Sequence, residues 1–152
     1  ITTAAMIAAL TFIFTTIIKI PSPIGGYLNL GDAVVLLSGA ILSPLWAFLA
    51  GAIGSAVADL SSGFFIYAPA TFIIKGVMAL LVSLFGEKFK FSRSVICILA
   101  EAFMVLGYYT FEGFIYGFGV SMINIFPNAL QGIVGFVIGM ILIKAFFKYK
   151  VK

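Results

Sequence analysis

Polar residues in this chain gather in a few short clusters, and between the clusters run apolar stretches far longer than a strand. Proline, glycine and polar positions delimit six such stretches, which predict helices over 2–18, 33–42, 44–61, 69–85, 93–110 and 126–147. The second is short for a membrane crossing. The Ser43–Pro44 step interrupts the apolar run Val34–Ala58, and proline is favoured in a first helical turn, so this run predicts two helices joined by a tight turn. One long kinked span, giving five crossings in all, is the alternative.

Composition turns these helices into membrane spans. Of 152 residues 63% are hydrophobic and 9% charged, and the mean hydropathy is +1.25, outside the range of soluble domains. A signal peptide would account for one apolar run, not for a whole chain of them. At ~20 residues per crossing of a ~30 Å hydrocarbon core, the length allows about six crossings. The expected fold is therefore an all-α bundle of six transmembrane helices forming a single domain over residues 1–152. Because the sequence begins at Ile1, without an initiator methionine, an N-terminal segment is expected to precede it.

Charge sets the expected orientation. The connection Glu87–Arg93 (EKFKFSR) and the end KYKVK, with Lys144 before it, concentrate the positive residues, and basic loops stay on the cytoplasmic side. The two segments are separated by an out-and-back pair of helices, so N- and C-termini both fall inside. The connections 19–32, 62–68 and 111–125 then face outward. They carry tyrosine, asparagine, acids and glycine, as in GGYLNLGD (Gly25–Asp32), and resemble a lid more than plain linkers. Tyr27 and Asn29 are lid candidates, whereas Asp32 is expected to cap the helix that begins at Ala33.

Several chemistries drop out. There is no histidine and a single cysteine, Cys97, leaving neither the commonest metal ligand nor a thiolate cluster. No G-x-x-x-x-G-K-[ST] phosphate loop occurs, Gly117–Gly119 lacks the third glycine of a dinucleotide fingerprint, and no nucleophile–base pair is legible. Neither a cofactor, a metal nor nucleic acid is expected, and a binding protein fits better than an enzyme.

Ionisable residues inside a membrane are costly, about 2.5–3.5 kcal/mol at a helix centre, and so mark function. Glu101, Asp59, Lys75 and Glu112 are each positioned to reach one outward-facing cavity. Glu101, Val105, Tyr108 and Glu112 share one helical stripe, and Asn124, Asn128 and Gln131 form a second near Pro127. Amides and tyrosine rings together suit a small neutral or weakly charged heterocycle. Structural roles compete: Lys75 with Asp59 as a neutralising pair, Glu101 protonated between helices, Asn128 and Gln131 as interhelical bonds. Tyr108 and Tyr109 cannot both face the cavity. Small-residue ridges at Ala4/Ala8, Ala5/Ala9, Ala47–Gly51–Ser55 and Gly135/Gly139 permit close helix packing; most are expected inside, while the first-helix alanines can dock another subunit.

The stretches IPSPIGGYLNLGDAVVLLSGAILSP, GAIGSAVADLSSGFFIYAPATFIIKG, AEAFMVLGYYTFEG and FPNALQGIVG resemble the substrate-binding (S) components of energy-coupling factor (ECF) vitamin transporters, within the branch for riboflavin, pyridoxine and hydroxymethylpyrimidine. The resemblance implies a six-helix prokaryotic plasma-membrane protein that captures a vitamin outside and works with a transmembrane scaffold (T) subunit and two ATPases. It maps the scaffold contact onto Ala4 and Ala8, with Ala5 and Ala9 as a second register. It maps the ligand site onto Tyr27, Asn29, Asp59, Lys75, Glu101, Tyr108, Asn128 and Gln131. A small pyridine or pyrimidine alcohol is the expected ligand and riboflavin the second choice. A self-sufficient secondary carrier is the competing class, against which no inverted repeat is recognisable.

Overall fold

The computed structural model describes residues 1–86 and 93–150, the last two by backbone alone. Helix α1 spans Thr2–Ile17, followed by a two-strand ribbon of β1 (Ile20–Pro21) and β2 (Tyr27–Leu28). Then come α2 (Gly31–Ile41), α3 (Pro44–Ser61), α4 (Ala68–Phe85) and α5 (Arg93–Tyr116). A short α6 (Phe118–Ser121) and a 3-10 turn lead into α7 (Ile125–Lys150). Among the described residues four segments are long and apolar enough to cross a membrane: Pro44–Ser61, Ala68–Phe85, Arg93–Tyr116 and Phe118–Lys148. The basic connection used to orient the chain lies, from Glu87 to Ser92, outside the described residues, as do Val151 and Lys152.

The break at Ser43–Pro44 is real. Leu42 and Ser43 are extended, and Pro44 opens α3 at its first position. Helix α2, with 11 residues, reaches only ~16 Å at 1.5 Å per residue, about half a hydrocarbon core. It is nevertheless the centre of the bundle: every residue from Gly31 to Gly39 is buried, and it packs against α1, α3, α4 and α7. The remaining contacts run α1–α3–α4–α5–α7 around it. Val34, Val35 and Leu36 form the core with Met78, Ala79 and Met104. The outer faces of α5 and α7 stay apolar and exposed, at Leu106, Phe114, Ile133, Val137 and Ile141, as lipid contact requires.

Two predicted ridges lie inside. A methyl group on Gly139 would press on Leu36 and the Ala33 carbonyl, and one on Gly51 would meet the Lys75 carbonyl. At Gly54 the carbonyl of Ala8 and the Thr11 side chain leave no room for a Cβ at all. That contact fixes the face of α1: Ala4 is 6% exposed and buried against the bundle, and Ala8 is half-buried, while Ala5 and Ala9 are exposed. Of the two registers expected to meet a scaffold, Ala4 and Ala8 thus face the bundle, and the second register forms the outer surface.

Two of the helix ends that differ from expectation bear on the site. Helix α5 continues past Thr110 to Tyr116, because nothing in FEGFIY breaks it until Gly117, whose φ of 92° ends it. Much of the third outer connection is thus helical. At α2 the helix begins at Gly31, so Asp32 lies in its first turn and caps nothing. The Asn29 side chain takes the local role instead, its Oδ1 accepting from the Gly31 N–H at 2.9 Å, a turn that asparagine forms readily.

Candidate functional site

Between α1 and α2 the chain folds back over the outer ends of the helices. Ile20 pairs with Leu28 and Pro21 with Tyr27, and the turn between them passes through Gly25 and Gly26 at φ 142° and 72°. A Cβ on Gly25 would lie 2.7 Å from the Tyr67 hydroxyl, so only glycine lets this backbone rest on the aromatic floor beneath it. The ribbon closes a chamber walled by α3, α4, α5 and the start of α7.

Seven of the eight predicted site residues line this chamber: Tyr27, Asn29, Asp59, Lys75, Tyr108, Asn128 and Gln131. Glu101 does not. It lies on a separate apolar groove with Ile98, Val105, Gly132 and Phe136, its carboxylate against Gly132 and Gly135. The α5 stripe is thereby divided, with Glu101 and Val105 on the groove and Tyr108 and Glu112 in the chamber. Tyr109 packs on Phe118 instead.

Most chamber groups are already bonded to one another. The Lys75 ammonium pairs with Asp32, at 2% and 0% exposure, rather than with Asp59. A buried charge pair survives only if its remaining positions are satisfied, and Gln131 supplies that: its Nε2 donates to Asp32 Oδ2 at 2.7 Å. The Gln131 Oε1 in turn accepts from the Asn29 N–H at 2.9 Å. One chain of bonds therefore runs from lid backbone through Gln131 and Asp32 to Lys75, whose ammonium also lies 5.4 Å from the Tyr108 ring centre. Asp59 accepts from the Tyr27 hydroxyl at 2.8 Å. Burial first, and then the charge of Asp59, push the Tyr27 phenol well above its ordinary pKa, so it remains a donor at neutral pH.

The outer wall holds a second network. Asn124 donates to Glu112 Oε1 at 2.8 Å and accepts from the Ser22 hydroxyl at 2.5 Å, while the Tyr67 hydroxyl donates to the same Glu112 oxygen at 3.2 Å. Tyr27, Phe64, Tyr67 and Phe111 form a chain of ring contacts at 4.8 to 6.3 Å. Thr71 bonds the Tyr108 hydroxyl at 2.9 Å. Thr15 and Thr71 also line the chamber, although small hydroxyls in apolar helices look like filler, and so does Ser55, which the sequence marks only as a member of a packing ridge. Tyr67 and Phe64 were visible only as aromatic residues of an outer connection. Among the described residues no cluster of acids and cysteine is arranged to hold a metal ion.

The free volume of the chamber is about 30 Å³, on the order of one or two water molecules. A heterocycle enters only if the ribbon or the aromatic side chains move.

A family model for the ECF-type riboflavin transporter S component matches residues 1–148. The chain belongs to this family. It is accordingly a substrate-binding, non-catalytic subunit of a vitamin transporter and a multi-pass membrane protein. Its fold is that of a solved structure titled as the S component of a bacterial ECF transporter, with TM-score 0.77, 20% identity and coverage of 99% of this chain and 96% of that one. Two relatives are similar in sequence. The thiamine precursor transporter HmpT of Lactococcus lactis subsp. cremoris is 29% identical over 93% of this chain and 84% of its own length. A Pyrococcus woesei protein, called only an uncharacterized protein in a gap 3' region, is 33% identical over 82% of this chain and 86% of its own.

Proposed function

We propose that this S component captures a small pyridine or pyrimidine vitamin, or its precursor, from the outer side of a prokaryotic plasma membrane. The observation that carries the reading is the chamber under the Gly25–Gly26 ribbon, where tyrosine rings, three amides and a buried ammonium meet on one side of the bundle. Likeness to a thiamine precursor transporter supports the pyrimidine class, and the small free volume favours one ring over three. Residues 1–152 act as one unit, with both termini on the cytoplasmic side. A transmembrane scaffold subunit docks on the Ala5/Ala9 face of α1, and two ATPases drive the cycle through it.

Opening of the lid is part of this function. Moving the ribbon breaks the Asn29–Gln131 and Tyr27–Asp59 bonds, which closure over ligand remakes. Mass spectrometry of small molecules released from the purified chain tests the reading directly. Recovery of a pyridine or pyrimidine alcohol, followed by tight binding without ATP or ions, is the expected result. Recovery of a flavin would replace it by the riboflavin reading, which the matched family description and the Tyr27–Phe64–Tyr67–Phe111 ring chain favour. Absence of binding to any vitamin or precursor would reject both.

A further inference from the structure

Four buried side-chain oxygens lack a hydrogen-bond partner among the described residues: Ser55 Oγ, Glu112 Oε2 and both carboxylate oxygens of Glu101. Two of them, from Ser55 and Glu112, belong to residues of the chamber wall. Both side chains are almost wholly enclosed, at 1% and 2% exposure. A buried polar atom without a partner is costly, and proteins rarely leave one so unless something else completes it.

Ser55 is conspicuous beside its neighbours. Thr11, Thr15, Thr16, Ser62 and Thr110 all donate to the carbonyl four residues earlier, the ordinary resting place for a helical hydroxyl. Ser55 makes no such bond among the described residues. At Glu112 the asymmetry is within one carboxylate. Oε1 already accepts from Asn124 and Tyr67, which fixes the side chain, while Oε2 has nothing. A carboxylate held in place by one oxygen and free at the other is prepared to accept a donor.

We infer that Glu112 and Ser55 are ligand-contacting residues, and that the ligand presents an N–H donor to Glu112 Oε2. This rests on the proposed capture of a small heterocycle and narrows its class to amino-substituted rings. An exocyclic amine beside a ring nitrogen offers that donor without an adjacent carbonyl oxygen to repel the carboxylate. Ser55, on α3 one turn below Asp59, supplies a hydroxyl to the opposite end of the ring. A ring lacking the amine leaves Oε2 unpaired and is rejected, since sites built around a polar group discriminate strongly against analogues without it.

The test uses the purified full chain in detergent, titrated with a 4-amino-5-hydroxymethylpyrimidine and with its 4-hydrogen counterpart. The wild type is expected to prefer the amine by about 30-fold or more, and Glu112→Gln to reduce that preference to about fivefold or less as the charge-assisted bond becomes neutral. Ser55→Ala should weaken both ligands by about tenfold and leave their ratio unchanged. Equal wild-type affinity for the two rings overturns the inference while leaving the capture of a heterocycle standing, and needs no variant to fold. Full discrimination retained in Glu112→Gln overturns the role of Glu112, and unchanged affinity in Ser55→Ala that of Ser55. A wild type that binds neither ring nor any other vitamin overturns the parent reading as well.

Discussion

Helix α5 carries two buried glutamates, and their surroundings could hardly differ more. Glu112 sits in the chamber wall, anchored through one oxygen by an amide and a phenol. Glu101, eleven residues earlier, faces two glycines of α7 and an apolar groove, with neither oxygen hydrogen-bonded among the described residues. Eleven residues at 100° return to within about 20° of the same helix face, so periodicity alone makes the two equivalent. What separates them is the partner that face meets. Near Glu112 it meets the polar start of α7 and the ribbon, and near Glu101 it meets Gly132 and Gly135. Membrane carboxylates are thus poor guides to a binding site until their neighbours are known.

The sharpest way to break this division is to remove the charge on which the chamber is built. Lys75→Met leaves Asp32 buried with Gln131 as its remaining side-chain hydrogen-bond donor among the described residues, and breaking a buried pair on one side costs about 3–5 kcal/mol. Thermal unfolding of the purified chain should show that loss, with a large part recovered in the Lys75→Met/Asp32→Leu double variant. Asp59→Asn should cost far less. An equal penalty at Asp59 would restore the Lys75–Asp59 pairing that the sequence suggested.

Second in size is the tether between lid and helix bundle. Gln131→Leu removes the acceptor of the Asn29 N–H and the second donor of Asp32, each bond being worth about 1–3 kcal/mol because a buried group is left unpaired. Ligand should leave faster while its association rate changes little, since such losses fall mainly on dissociation. Stopped-flow release separates the two rates. A purely slower association would place Gln131 in ligand entry instead.

At the groove the sign reverses. Glu101→Met replaces a carboxyl that lacks a hydrogen-bond partner among the described residues by an apolar side chain beside Ile98, Val105 and Phe136, and unfolding should shift in the stabilising direction by on the order of 1 kcal/mol. Ligand affinity should stay within about twofold of wild type, as for any change made away from bound groups. Loss of binding would return Glu101 to the site where the stripe had put it.

How much of this was legible in the sequence follows from what helices reveal and what they hide. The break at Ser43–Pro44, the bounds of α3 and the outward cluster around GGYLNLGD were legible, because proline and glycine act locally. Seven residues of the chamber lining were legible because tyrosine, amides and charges stand out against an apolar chain. The partner of Lys75 was not. Asp32 looked like a cap, and nothing local reveals that α2 starts two residues earlier and turns this carboxylate into the core. Thr71 was hidden for the opposite reason, as its type fits any helix interior, and Ser55 showed only as a small residue of a packing ridge.

The smallest expected effect concerns α1, where two alanine registers one residue apart were indistinguishable by spacing. Ala4 lies against the bundle and Ala8 touches α3 through its carbonyl at Gly54, whereas Ala5 and Ala9 are exposed in line with Ile13 and Ile17. A tryptophan at Ala4 has no room, and overpacking of that kind typically costs 1–3 kcal/mol. At Ala9 the same side chain projects into lipid, so stability should change by about 0.5 kcal/mol or less. Ala9→Trp should therefore keep ligand affinity and fold while failing to co-purify with a scaffold subunit, because a small-residue face that admits a close helix no longer does. Ala4→Trp should lose stability before it loses a partner. If Ala9→Trp co-purifies with the scaffold as wild type does, the docking face lies elsewhere than on this stripe of α1.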